Sequence, residues 1–110
     1  MGAKSRAKAQ EIASQVKSYL IQRYGSGIDA VLLYGSCARG QARAESDIDL
    51  LVLVENSIKP SAVRKELSDF LYDILLEKDE LVSVIVLPKS VFENQDSLFL
   101  RRVRQEAVRV

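Results

Sequence analysis

The feature that most constrains this chain is the pattern over residues 31–54. An apolar run stops at Gly35 and Ser36, a polar segment follows, and a second apolar run carries Asp47 and Asp49 near its start. Side chains at positions i and i+2 of a strand point to the same face, so the two carboxylates stand together, about 7 Å apart along the backbone. The pattern predicts two strands that bring an acidic pair close to a Gly-Ser turn.

The acidic pair and the turn together suggest a site for a metal–nucleotide complex. Two carboxylates at this spacing can share two divalent cations roughly 3.5–4 Å apart, the arrangement used for phosphoryl transfer. The turn offers backbone N–H groups and a hydroxyl with no large side chain in the way, as phosphate binding requires. Each half has an alternative: the aspartates could be exposed and paired with arginine, and Ser36 could simply cap a short helix over residues 36–40.

Composition narrows the class of protein. The 110 residues are expected to form a single domain, residues 1–110, and 47% apolar with 28% charged residues is ordinary for a globular protein. The net charge of +1 gives no general attraction to nucleic acid, which is not expected as a partner. The absence of histidine excludes Ser-His-Asp triads and His-ligated zinc within the chain.

The single cysteine and the hydropathy suggest a cytoplasmic setting. Cys37 has no second cysteine with which to form an internal disulfide, which fits a reducing compartment. With no histidine to activate it, Cys37 is predicted to fill a tight turn rather than to act as a nucleophile. No apolar stretch approaches the ~20 residues of a membrane span, and the N-terminus lacks the apolar core of a signal peptide, so no membrane partner is expected.

Hydrophobic periodicity predicts an α/β (α+β) chain. The predicted elements are a helix over residues 4–24, strands over 28–34 and 47–54, a helix over 60–77, a strand over 81–87, a short helix capped by Ser90 that ends at Asn94, a helix over 97–106 and an edge strand over 108–110. In the strand over 47–54, the face opposite the aspartates is wholly apolar. Helices are therefore expected to cover that face.

Four arginines near the C-terminus, at positions 101, 102, 104 and 109, form the densest positive cluster of the sequence. A solvated helix face is the ordinary interpretation of such a cluster. A patch that docks a partner or binds phosphate is the alternative. The sequence leaves both open.

Residues 35–49, GSCARGQARAESDID, resemble the signature of the minimal nucleotidyltransferases, within the DNA polymerase β-like nucleotidyltransferase superfamily. In that signature Gly-Ser is followed by ten residues and then by Asp-x-Asp, as it is here. The resemblance extends over most of the chain, to a C-terminal Leu-Arg-x-Val-x-x-Glu-Ala-Val run. It implies the nucleotidyltransferase fold, a small mixed β-sheet with helices packed mainly on one face.

The resemblance also implies an enzyme that moves a nucleoside monophosphate, above all AMP from ATP, to an acceptor hydroxyl with release of pyrophosphate. Asp47 and Asp49 would be catalytic and would bind Mg²⁺, or Mn²⁺, which oxygen ligands also accept. Gly35 and Ser36 would hold the triphosphate. Arg39 would either steady a phosphate or pair with one aspartate. Family members often act as antitoxins that adenylylate a HEPN-type toxin, so a HEPN-type partner is expected, and a second copy of this chain is an alternative partner.

One position departs from the family pattern. Catalytically complete relatives carry a third acidic residue on the following strand, and alignment places Ser83 there. A serine hydroxyl is neither a useful general base nor a strong magnesium ligand. Asp79 lies about 13 Å away along an extended chain, and Glu80 has the wrong parity. The alternative function is therefore a weakly active or inactive nucleotide-binding module that neutralises or regulates a partner by forming a complex with it.

Overall fold

The computed structural model describes residues 6–40 and 47–110. The elements in chain order are α1 (Arg6–Tyr24), a 3₁₀ turn (Gly25–Gly27), β1 (Ile28–Tyr34), α2 (Ser36–Arg39), β2 (Ile48–Val54), α3 (Pro60–Lys78), β3 (Val82–Pro88), α4 (Lys89–Asn94), α5 (Leu98–Glu106) and β4 (Val108–Arg109). The predicted helices and strands are confirmed, with bounds that agree to within one or two residues. Residues 4 and 5 of the predicted first helix lie outside the described residues. Among the helices in the described ranges, none is long and apolar enough to cross a membrane.

The four strands form one mixed sheet in the order β3-β2-β1-β4. Strand β2 pairs antiparallel with β1 and parallel with β3, and β4 pairs antiparallel with β1. A parallel pair needs a long crossover connection, which α3 supplies between β2 and β3. The mixed sheet implied by the resemblance is confirmed.

One face of the sheet packs against the two long helices. The apolar face of β2 is fully buried in one core with the apolar rows of α1 and α3. The buried residues are Ile48, Leu50, Val52 and Val54 on β2, Ala9, Ile12, Ala13, Val16 and Leu20 on α1, and Val63, Leu67 and Ile74 on α3. Removal of this apolar surface from water holds the helices to the sheet, as the sequence pattern predicts.

Helix α5 packs against the opposite face. Val103 lies in a second buried cluster with Leu51 and Leu53 of β2. Because side chains alternate along a strand, this is also the face that carries Asp49. The two 19-residue helices α1 and α3 pack on the first face, and the nine-residue α5 packs on the second. Most of the helical residues therefore lie on one face, as the resemblance implies. The position of α5 nonetheless places it on the same side of the sheet as the acidic pair.

Two predicted helix caps are wrong. Ser36 is itself the first residue of α2, Gly35 is the N-cap, and no side-chain cap hydrogen bond forms there. Gly35 has φ 75° and ψ −157°, a conformation open almost only to glycine, so the backbone of Gly35 makes the turn into the helix. Ser90 lies inside α4 rather than before it, and its hydroxyl donates to Oδ1 of Asn56 at 2.9 Å.

The two leucines Leu67 and Leu76 on α3 test how far the core determines stability. Leu67 is fully buried, whereas Leu76 is 65% exposed. We expect Leu67→Ala to lower the free energy of unfolding by about 2–5 kcal/mol, because it leaves a cavity, and Leu76→Ala by less than about 0.5 kcal/mol. Urea denaturation followed by circular dichroism measures both. Equal losses would contradict the packing of α3 described above.

Candidate active site

The pairing of β1 with β2 sets Gly35 against Asp49. Tyr34, the last residue of β1, pairs with Asp49, so Gly35 passes directly beside that carboxylate. A Cβ at Gly35 would lie 2.5 Å from Oδ2 of Asp49, and the φ of 75° would strain any other residue. The structure thus brings the turn into contact with Asp49, and glycine is the residue that permits this contact.

The electrostatics of the acidic pair favour a bound cation. Asp47 is exposed just before β2, and Asp49 is half-buried within it. Burial raises the pKa of Asp49 above its ordinary value, the charge of Asp47 raises that pKa further, and the charge of Arg39 lowers it. A divalent cation between the two carboxylates would offset both their repulsion and the loss of water around Asp49.

The oxygen ligands at this site suit magnesium bound together with a nucleotide. Mg²⁺ is commonly held by one or two carboxylates while it keeps waters and substrate phosphates. Across residues 6–40 and 47–110, no group of three or more His, Cys, Asp or Glu side chains is placed to hold a metal. Asp47 and Asp49 cannot by themselves fill the octahedral coordination of Mg²⁺, and water or substrate phosphate oxygens are its usual further ligands.

Arg39 joins α2 to α5. Its Nη1 donates to Oε2 of Glu106 at 2.9 Å, and its charge also acts on Asp49. The sequence predicted either a phosphate or an aspartate as the partner of Arg39, and it did not predict the ion pair with Glu106. A sequence separation of 67 residues explains why no local charge pattern indicates this ion pair. Ser36, the other predicted phosphate-binding residue, directly follows Gly35 and is half-buried.

A row of three side chains crosses the sheet at Asp49. Tyr34 lies beside Asp49 on β1, and Ser83 lies beside it on β3. The placement of Ser83 next to the acidic pair, inferred by alignment, is therefore confirmed, and Ser83 is exposed on an edge strand. Sequence reasoning missed Tyr34, although its position at the end of the first strand, directly before Gly35, was a usable signal.

The nearby tyrosine and acidic residues do not supply a ready base. Burial raises the pKa of Tyr34, and the charge of Asp49 raises it further, so the phenol keeps its proton and can donate a hydrogen bond. Glu80 is buried and its Oε2 lies 2.9 Å from Nζ of Lys8 on α1. Asp79 ends α3 in a left-handed conformation. Neither acidic residue takes the position beside Asp49 that Ser83 occupies.

Cys37 is part of the framework around the site. Its side chain is buried within α2, and its Sγ–H donates to the backbone carbonyl of Asp47 at 3.6 Å. Cys37 is buried as predicted for a small filling residue, but it lies inside the short helix α2 rather than in a turn. The contact also joins α2 to the start of the acidic segment, which helps to hold Asp47 near Gly35.

Residues 14–101 match the family described as "Polymerase beta, Nucleotidyltransferase". The chain belongs to this nucleotidyltransferase family. Two relatives share its sequence over about half of the chain. The spectinomycin 9-adenylyltransferase of Staphylococcus aureus is 43% identical over 51 residues, which cover 46% of this chain and 19% of the relative. A protein of Methanocaldococcus jannaschii named "Putative protein adenylyltransferase" is 41% identical over 56 residues, which cover 51% of this chain and 36% of that protein.

A solved structure shares the nucleotidyltransferase fold. It is that of a tri-AMPylated HEPN toxin of Shewanella oneidensis in complex with an MNT antitoxin. The superposition has a TM-score of 0.55 at 17% identity and covers 92% of this chain and 70% of the matched chain. At this identity the similarity shows the fold. The chain spans only about a fifth to a third of the length of the two sequence relatives.

The contact between Gly35 and Asp49 can be tested with two glycine substitutions. Gly25 also has a positive φ, of 55°, but a Cβ there would meet nothing within 4 Å. We expect Gly35→Ala to cost about 1–3 kcal/mol of stability and to weaken Mn²⁺ binding, because the new methyl displaces Asp49. Gly25→Ala should cost about 1 kcal/mol and leave Mn²⁺ binding unchanged. Wild-type Mn²⁺ affinity in Gly35→Ala, measured by electron paramagnetic resonance, would contradict this account.

The charges around Asp49 predict how its carboxyl titrates. We expect Asp47→Asn to lower the pKa of Asp49 and Arg39→Gln to raise it, since each removes one of the charges that act on it. Because folding raises the pKa of Asp49, the folded chain binds more protons than the unfolded chain at pH values between the ordinary and the raised pKa. The contribution of Asp49 to the free energy of unfolding therefore falls as pH rises through that window. Carbon-detected NMR titration measures the pKa, with Asp29→Asn as a control that should leave it unchanged.

Proposed function

We propose that this chain is a magnesium-dependent nucleotidyltransferase that moves AMP from ATP to a hydroxyl group of a partner protein. The observation that carries the proposal is the contact of Gly35 with Asp49. It joins a turn without a side chain to an acidic pair whose charge a divalent cation would offset. Two relatives that are named adenylyltransferases support the choice of AMP.

In the proposed reaction the acceptor oxygen forms a bond to the α-phosphorus of ATP. The bond from that phosphorus to the oxygen that bridges to the β-phosphate breaks, pyrophosphate leaves, and the proton of the acceptor hydroxyl passes to water. Bound Mg²⁺ would act as a Lewis acid on the phosphate oxygens. Asp47 and Asp49 would hold the metal. Gly35 would leave room for the phosphates, and Ser36 and Arg39 would donate hydrogen bonds to them.

For the acceptor we propose a HEPN-type protein, with this chain as the antitoxin of a cytoplasmic toxin–antitoxin pair. The S. oneidensis complex supports this, since there an antitoxin stands beside a HEPN toxin that carries AMP groups. We propose that the surface that selects the acceptor comes from the partner or from a second copy of this chain.

A second function is favoured by Ser83. The side chains beside Asp49 on the neighbouring strands are Tyr34 and Ser83, and neither is a useful base at neutral pH. A module that binds nucleotide and neutralises its partner by complex formation, without transfer, would need no such base. The two functions differ in whether the partner becomes labelled.

Label transfer tests the proposed activity. The chain would be incubated with Mg²⁺ and α-phosphate-labelled nucleoside triphosphates, one base at a time, in lysate of its source organism. We expect a labelled protein band with ATP. The Asp47→Asn, Asp49→Asn double variant should reduce the label by at least about a hundredfold, because the metal contributes several kcal/mol to the transition state.

Two further variants make the transfer experiment specific. Asp29→Asn removes a carboxylate of β1 that lies 3.7 Å from Lys89, and it should leave the labelling unchanged. Ser83→Asp adds an acidic group beside Asp49. Label that appears only with Ser83→Asp would show a site that binds nucleotide but lacks its base. If neither the wild type nor Ser83→Asp labels a partner that the chain demonstrably binds, the result would favour the binding module.

A further inference from the structure

Helix α5 and the Gly-Ser turn enclose a pocket of about 210 Å³. One wall is made by Tyr34, Gly35 and Arg39, and the other by Phe99, Arg102 and Glu106 of α5. Gly35 belongs to both the pocket and the acidic site, because it touches Asp49. The pocket is therefore a direct extension of the candidate active site on the side away from the edge strand β3.

The pocket carries an excess of positive charge. Arg39 and Arg102 contribute two positive charges and Glu106 contributes one negative charge, which leaves one positive charge uncompensated. Arg39 is already engaged, since it donates to Glu106 at 2.9 Å. The uncompensated charge is therefore that of Arg102.

Arg102 differs from the other arginines of α5. Arg101 makes two hydrogen bonds to Asp96 at 2.8 Å, and Arg104 donates to the backbone carbonyls of Phe92 and Gln95. The side chain of Arg102 makes neither a hydrogen bond nor an ion pair with the side chains or backbone of residues 7–40 and 47–110. Among these arginines it is also the one that lines the pocket beside Gly35.

We propose that Arg102 binds the β- and γ-phosphates of the nucleoside triphosphate, in the pocket between α5 and Gly35. This inference rests on the proposed function. The acidic pair and its cation would hold the α-phosphate on one side of Gly35, and the guanidinium groups would hold the outer phosphates on the other. A guanidinium presents several N–H donors in one plane and binds phosphate oxygens in pairs. A nucleobase is the less suitable occupant, because the aromatic rings of Tyr34 and Phe99 already pack edge to face at 5.5 Å.

The experiment measures binding rather than turnover. Isothermal titration calorimetry of the full chain with Mg²⁺ would use three probes: AMP, pyrophosphate and an ATP analogue with a methylene group between the α- and β-phosphorus. We expect Arg102→Gln to raise the Kd of the ATP analogue and of pyrophosphate by at least about tenfold, the effect of losing hydrogen bonds to a charged group. The Kd of AMP should change by less than about twofold, since AMP lacks the outer phosphates.

Arg101→Gln is the matched control, because it removes the same charge from the same helix outside the pocket. Equal effects of Arg101→Gln and Arg102→Gln would overturn the proposal, since they would show a general charge effect. If Arg102→Gln weakens the binding of AMP and of the ATP analogue equally, the proposal is also overturned. That result would show that Arg102 contacts a part that both ligands share, which is the base, the ribose or the α-phosphate. Because Arg101 and Arg102 are both exposed, we expect each variant to keep a melting temperature close to that of the wild type.

The outcomes separate this inference from the proposed function. Wild-type label transfer and nucleotide binding that persist unchanged in Arg102→Gln would overturn the inference alone. Pyrophosphate binding that depends on Arg102, in a chain that labels no acceptor, would support the inference and overturn the proposed transfer. A wild-type chain that binds none of the three probes would overturn both.

Discussion

The antiparallel pairing of β1 with β2 is the interaction on which the site depends. It fixes Tyr34 opposite Asp49, and this register carries Gly35 past the carboxylate at a distance that leaves no room for a Cβ. A shift of the register by one residue would move Asp49 to the other face of the sheet, where the apolar core lies. The apolar core on that face opposes such a shift, because it would bury the Asp49 carboxylate among the apolar side chains of α1 and α3. Core packing therefore holds the candidate active site in place.

The same strand serves two purposes because its faces differ. One face supplies apolar side chains to the core beneath α1 and α3. The other begins with Asp49 and becomes apolar farther along, where Leu51 and Leu53 pack with Val103 of α5. Attachment of α5 to this face brings Arg102 and Glu106 toward the Gly-Ser turn. A small member of the nucleotidyltransferase family thus gains a pocket from a nine-residue helix.

The two sides of the candidate site differ in the groups that they offer. On the side of β1, the turn, Arg39 and the α5 pocket offer groups suited to phosphate. On the side of β3, the residue paired with Asp49 is an exposed serine on an edge strand.

The sequence by itself determined the elements and the two parts of the site. Period-2 and helical patterns, which depend on burial of one face, located the strands and helices and placed Asp49 on the face of β2 opposite its apolar row, with Asp47 just before the strand. The spacing from Gly35 to Asp49 indicated the family, and alignment placed Ser83 beside Asp49. What only the tertiary structure decided were contacts between residues far apart in sequence. These are the ion pair of Arg39 with Glu106, the pairing of Tyr34 with Asp49, and the position of Arg102 beside Gly35. No local pattern encodes them, because they depend on how β1 pairs with β2 and on how α5 packs against the sheet.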